Sequence, residues 1–174
     1  MNPQDIPTYD PQAVVPLREE LHSVGFAPAF DEASVDAAIG RSGTSLVVVN
    51  SVCGCSAGAA RPGVCAALQN DLIPDRFVTV FAGNDKTAVA HLRQKYLPEF
   101  RPSSPFVALF KDGELMCALE RTDIQKMDAQ AIADALQEKF NELCARKGPS
   151  VPLASYEKLE HVISCGSKIA KFNS

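Results

Sequence analysis

One stretch constrains this chain more than any other: Leu46-Val47-Val48-Val49-Asn50-Ser51-Val52-Cys53-Gly54-Cys55-Ser56-Ala57-Gly58. Leu46 to Val49 is a continuous apolar, β-branched run. That pattern predicts a strand buried on both faces. Asn50 and Ser51 end it. Ala57, Ala60, Val64, Ala67 and Leu68 then recur at helical spacing, so Cys53-Gly54-Cys55 falls at a strand-to-helix turn. Two cysteines placed there lie near the unpaired N–H groups of a helix start. Such a setting favours the thiolate, which is the reactive form of cysteine.

A helix N-terminus stabilises a negative charge by roughly 0.3–2 kcal/mol. At about 1.4 kcal/mol per pKa unit, that lowers a thiol by at most ~1.5 units. A more acidic cysteine also needs direct hydrogen bonds to its sulfur. Gly54 is expected to remove side-chain bulk and let backbone approach the sulfurs closely.

The rest of the chain alternates strands and helices. Asp10-Pro11 predicts a helix start, and Gly25 ends that helix. Phe26 to Phe30 reads as a short edge strand, and Asp31 to Ile39 as a helix closed by Gly40. The helix after the cysteine turn is expected to reach about Leu72, kinked at Pro62. Phe77 to Phe81 is the next buried strand. Asn84 or Asp85 starts a helix that Pro98 stops. Arg101-Pro102-Ser103-Ser104-Pro105 reads as a rigid loop. Phe106 to Phe110 and Leu115 to Leu119 are strands joined by an Asp112-Gly113 hairpin turn. Asp128 caps a last long helix carrying Ile132, Leu136, Phe140 and Leu143.

This order predicts an α/β fold: a mixed sheet with helices on both faces, of thioredoxin-like architecture, with an extra N-terminal helix and a C-terminal tail. The expected division is a domain over residues 1–145 and a linker with C-terminal extension over residues 146–174. Lys147-Gly148-Pro149-Ser150-Val151-Pro152 reads as a linker-like break. Ser155 to Ser164 reads as one amphipathic helix, and the remainder as a docked or mobile tail.

At 174 residues and 46% apolar composition, the chain can bury a core without disulfide staples. Its net charge is −4, and no basic run stands out. Nucleic-acid binding is therefore not expected. No apolar segment approaches about 18 residues, so no membrane partner or span is expected. The N-terminal residues carry neither a basic region nor an apolar run, so no secretory signal is expected. The expected compartment is cytoplasmic, where thiols stay reduced. Six cysteines there read as reactive, buried or metal-binding rather than as a disulfide framework.

Several stretches together resemble the bacilliredoxin family, thioredoxin-like proteins with a Cys-Gly-Cys site earlier described as disulfide isomerases. They are Val14-Val15-Pro16-Leu17-Arg18-Glu19-Glu20-Leu21, Leu46 through Gly58 with Ala60-Arg61-Pro62, Phe77-Val78-Thr79-Val80-Phe81-Ala82-Gly83, and Pro102-Ser103-Ser104-Pro105. The likeness spans roughly residues 9–144. It implies a thiol-disulfide oxidoreductase that removes bacillithiol from mixed disulfides on proteins. Bacillithiol would be a co-substrate, with no cofactor bound. Implied partners are S-thiolated client proteins, bacillithiol and a bacillithiol disulfide reductase. The resemblance also implies a cis bond at Ser104-Pro105, beside the active cysteines. Cys65, Cys117 and a tail bearing Cys165 depart from the family's pattern.

On this reading Cys53 is the nucleophile, and Cys55 resolves or protects. A disulfide spanning one intervening residue closes a small, strained and easily reduced ring. Ser104 and Pro105 would present backbone to an extended substrate. Arg61 and Arg101 carry guanidinium groups able to meet carboxylates of a malate-bearing thiol, although plain surface charge is the simpler reading of both. Cys165 is a candidate resolving thiol reaching back from the tail. Cys65 and Cys117 read as core residues, and Cys144 as structural. His22, His91 and His161 read as isolated surface residues, so no metal site is expected. Alternatives that share the cysteine pair are a disulfide isomerase or oxidant, and a metal or cluster carrier.

Overall fold

The computed structural model describes residues 5–164 and 166–172. The strands are β1 (Ala27–Pro28), β2 (Thr44–Asn50), β3 (Leu72–Ile73), β4 (Arg76–Phe81), β5 (Phe106–Lys111), β6 (Glu114–Leu119) and β7 (Arg146–Lys147). Five of them form one sheet in the order β1-β4-β2-β5-β6. β1 and β2 run parallel to β4, and β5 runs antiparallel to both β2 and β6. The helices are α1 (Val15–His22), α2 (Glu32–Ile39), α3 (Arg61–Ala67), α4 (Lys86–His91), α5 (Arg121–Ile124), α6 (Ala129–Leu143) and α7 (Leu153–Tyr156). This is a thioredoxin-like α/β fold.

The side-chain period of a strand is two, so a central strand must be apolar on both faces. β2 meets that condition. Leu46 and Val48 join a core with α1, α3 and α6. Val47 and Val49 join a second core with α2 and α4 on the opposite face. Val107 and Leu109 of β5 divide from Phe106, Ala108 and Phe110 in the same way. The Asp112-Gly113 turn has both residues at positive φ, 52° and 83°, as a two-residue hairpin requires.

Capping follows the sequence at two helices. Asp31 accepts from the Ser34 N–H at 2.8 Å, and Asp128 from the Ala131 N–H at 2.8 Å. Asp85 precedes α4 but is used otherwise. Its carboxylate accepts from the Phe81 N–H at 2.7 Å and from both Arg18 Nη atoms at 2.7–2.8 Å. α1 starts later than expected, because Asp10 folds into a local turn in which its carboxylate accepts from the Gln12 N–H at 2.8 Å.

Two larger corrections concern the far end of α3 and the tail. α3 stops at Ala67 rather than near Leu72. Leu72 and Ile73 are instead drawn into β3, which pairs with Arg146 and Lys147 of β7. The stretch that reads as a linker is thus zipped against the end of the active-site helix. The Gly148 N–H bonds the Asp71 carbonyl at 2.8 Å, and the Ser150 N–H bonds the Leu68 carbonyl at 2.9 Å. A Cβ at Gly148 would collide with the Asn70 carbonyl. The single amphipathic helix expected over Ser155 to Ser164 is absent. A four-residue helix, α7, is followed by irregular backbone in which the Val162 N–H and carbonyl bond to the side chains of Glu20 and Arg61.

α3 and α6 approach closely at Gly63. A Cβ there would lie 2.7 Å from Ile132 Cβ and 2.8 Å from the Ala129 carbonyl oxygen. One of these is backbone and cannot step aside. Gly63→Ala is expected to cost roughly 1–3 kcal/mol through overpacking, read as a fall in Tm of several degrees. An unchanged Tm would contradict so tight an approach.

Candidate active site

β2 runs out at Asn50, and the chain turns through Ser51 and Val52 into the cysteine pair. The Cys53 carbonyl accepts from the N–H groups of Ser56 at 3.1 Å and Ala57 at 3.2 Å. This opens the helical segment that leads into α3. Its first part, Ser56–Ala60, is a wide π-helical turn in which the Arg61 N–H reaches back to the Ser56 carbonyl. Pro62 has no N–H to donate and crowds the preceding turn. The expected kink therefore takes the form of a widened turn, a feature common at functional sites.

Cys53 and Cys55 are both half-buried and both free thiols. Their sulfurs lie 2.9 Å apart. Burial, the largest single influence, pushes the Cys53 thiol up. The Cys55 thiol, the Ser51 hydroxyl, the Ser56 amide and the charge of Arg121 together outweigh it, and the net direction is down from 9.0. Cys55 moves the opposite way. Burial, its hydrogen bond to Cys53 and the negative charge there push it up to about 11. The pair is thus split into one acidic sulfur and one proton-bearing neighbour. The remaining described cysteines are all raised by burial: Cys65, Cys117 and Cys144.

Across from the pair, the Ser104–Pro105 bond is cis, and the Ser104 carbonyl oxygen is 3.9 Å from Cys53 Sγ. Arg93, half-buried, holds this loop by donating to the Ser103 carbonyl at 3.1 Å. Gly54 is exposed, and a Cβ on it would meet nothing within 4 Å. The chain's own packing therefore does not demand glycine there, contrary to the close approach expected of it. The space beside the sulfurs is open to a second molecule.

Arg61 lies elsewhere than a surface or substrate-binding role requires. Its side chain has no solvent exposure, and all three of its nitrogens are engaged within the protein. Nε pairs with Glu20 at 2.6 Å, Nη1 donates to Asn50 Oδ1, the Ser51 carbonyl and Ser56 Oγ, and Nη2 donates to the Val162 carbonyl at 2.9 Å. Its place is beneath the cysteine turn. Arg101 stays exposed at the rim of the Ser104-Pro105 loop. The histidines read as isolated each face a carboxylate: His91 faces Asp36 at 2.7 Å, His161 faces Glu20 at 2.6 Å and His22 faces Glu19 at 3.5 Å.

Cys65 and Cys144 are buried in the core, and Cys117 packs half-buried against it. Cys165 lies outside the described residues. Among the described residues, no three of His, Cys, Asp and Glu come together as a ligand set for a metal ion. No helix is long and apolar enough to cross a membrane. Arg121 and Arg93 were not singled out by sequence. Both act from distant segments, and only their position in the fold gives them away.

Comparison with known proteins agrees with this geometry. A family model described as disulphide isomerase matches residues 9–144. A bacilliredoxin of Cytophaga hutchinsonii is 44% identical over 135 residues, covering 78% of this chain and 99% of the relative. One from Shouchella clausii is 45% identical over 139 residues, covering 79% and 95%. A bacilliredoxin of Salinibacter ruber is 38% identical over 168 residues, covering 95% and 98%, so it aligns with most of the tail as well. With the cysteine turn, the loop facing it and these alignments in agreement, the chain belongs to the bacilliredoxin family.

Proposed function

We propose that this protein is a thiol-disulfide oxidoreductase that frees client proteins from mixed disulfides with a small thiol, bacillithiol or a close analogue. The observation that carries the reading is the split pair: Cys53 Sγ is half-exposed and acidified, 2.9 Å from a Cys55 that holds its proton. A thiolate attacks a disulfide sulfur, and a better leaving thiolate departs faster. Cys53 attacks the small thiol's sulfur in the mixed disulfide. The S–S bond to the client breaks, and the client leaves as a thiolate and takes up a proton. A new S–S bond joins Cys53 to the small thiol.

Two routes complete the cycle. Cys55 loses its proton and attacks Cys53 Sγ, expelling the small thiol and leaving a Cys53–Cys55 disulfide, which two further small thiols reduce as they leave as their own disulfide. Alternatively, a second small thiol attacks and departs as the small-thiol disulfide, the substrate of a partner reductase. The high Cys55 value favours the second route whenever free small thiol is abundant. An extended client segment would lie against the Ser104-Pro105 backbone, with the open space at Gly54 admitting the adduct. The setting for this chemistry is the cytoplasm. The division of the chain into a catalytic domain over residues 1–145 and an extension over residues 146–174 belongs to the same reading. Cys165 is held in reserve as a resolving thiol.

The tests separate this function from its rivals. Mixed with a bacillithiolated peptide, Cys55→Ser is expected to release free peptide and carry the small-thiol adduct on Cys53, read by mass spectrometry. With excess small thiol it is expected to keep turning over, and complete loss of turnover would rule out the second route. Equal activity of the unmodified protein on scrambled intrachain disulfides would favour an isomerase.

The pH dependence follows from the thiolate. Exchange should rise with pH through a Cys53 midpoint lower than that of an ordinary thiol, before Cys55 ionises near 11. Arg121→Ala should move that rise to higher pH, by less at high salt because the charge is exposed. An unmoved profile would remove Arg121 from the site.

A further inference from the structure

The strap that follows α7, residues 157–164 and 166–172, lies across α1 and the cysteine turn. It lies beyond the family match over residues 9–144. The relative from Cytophaga hutchinsonii is spanned almost end to end by 78% of this chain, so the core of the family is complete without a segment of this length. Yet the strap is bonded here at four places. The Phe172 N–H donates to the Thr8 carbonyl, and the Asp10 N–H to the Ala170 carbonyl. Val162 and Ile169 pack with Val14, Leu17, Val52 and Phe81. A Cβ at Gly166 would lie 3.0 Å from Val52 Cγ2, so the strap presses on the residue just before Cys53.

The fourth contact reaches the site's foundation. Glu20 is buried, with its side chain fully shielded from solvent. Its Oε2 takes the Arg61 Nε–H, and its Oε1 takes the Nδ1–H of His161 at 2.6 Å. The Val162 carbonyl, one residue on, accepts from Arg61 Nη2 at 2.9 Å. A buried carboxylate or guanidinium with an empty hydrogen-bonding position is costly. Two of the positions here are filled by the strap. The same Arg61 holds the Ser51 carbonyl at 3.0 Å and Ser56 Oγ at 3.1 Å, on either side of Cys53.

We infer that the strap is a working part of the active site. Through His161 and the Val162 carbonyl it completes the Glu20–Arg61 cage that holds the Ser51–Ser56 turn, and with it the donors that face Cys53 Sγ. His161 is a positioning residue, acting on Cys53 through Glu20, Arg61 and the turn. The inference rests on Cys53 being the reacting thiol. Arg121, not Arg61, is the charge felt at Cys53. Loosening the cage therefore acts through geometry: Ser51 Oγ and the Ser56 amide lose their aim, and the thiolate loses support.

The test compares the pH profile of Cys53 alkylation, followed by mass spectrometry, in the unmodified protein, His161→Ala and His161→Asn. Val35→Ala, in the core on the opposite face of the sheet, is the control for general loss of stability. His161→Ala is expected to move the Cys53 midpoint up by about 0.5–1 unit. His161→Asn places an amide N–H where Nδ1 stands and is expected to keep the midpoint near its unmodified value. Val35→Ala is expected to lower Tm without moving the midpoint. A His161→Ala profile that overlays the unmodified one would overturn the inference, as would an equal shift in Val35→Ala. An unmodified protein whose Cys53 is no more acidic than a free thiol would instead overturn the reading of Cys53 itself. If His161→Ala folds poorly, His161→Leu is read in its place: it fills similar volume without an N–H for Glu20, and an unmoved Cys53 midpoint there would overturn the inference.

Discussion

A guanidinium with no access to water sits directly beneath the cysteine turn, and its surroundings must supply what solvent cannot. Removing one partner of such a pair leaves an uncompensated buried charge, typically at a cost of about 3–5 kcal/mol. Glu20, Asn50, Ser51, Ser56 and Val162 each give Arg61 an acceptor. Those five come from α1, the end of β2, the cysteine turn and the C-terminal strap. Satisfying one side chain thus ties together four segments. Buried pairs of this kind are a weak source of stability and are better understood here as fixing one arrangement of the turn.

On that foundation, the chemistry depends on small differences in environment between two sulfurs. Both are partly buried, and burial alone would raise both. Cys53 receives donors from Ser51, Ser56 and Cys55 and the distant charge of Arg121. Cys55 faces the negative charge that results. The acidic member is placed where the Ser104 carbonyl and the open side of Gly54 leave room for another molecule's disulfide. At Cys65, Cys117 and Cys144 burial outweighs what lowers the thiol. The five described thiols therefore do not behave alike.

Much of this was legible in the chain itself, where the relevant signal is local. The β2 run, the Asp31 and Asp128 caps and the Asp112-Gly113 turn each follow from a few neighbouring residues. So does the placing of Cys53 and Cys55 at a helix mouth. What was not legible depends on partners far apart in sequence. Glu20 and Arg61 are separated by 41 positions, and His161 by 141 from Glu20. Each residue taken singly looks like surface charge. Leu72 and Ile73 continue a helical pattern until β7 claims them, and the tail reads as a helix until its backbone finds other acceptors. The cis bond at Ser104–Pro105 came from likeness to a family, because spacing carries no mark of it.

The most direct measurement is a residue-resolved titration of the two thiols, by NMR of the protein carrying carbon-13 at the cysteine Cβ positions. Cys53 should titrate below 9.0 and Cys55 near 11, with the Cys53 step also felt at Cys55. Both thiols titrating together near 9.0, or Cys55 ionising first, would contradict the account.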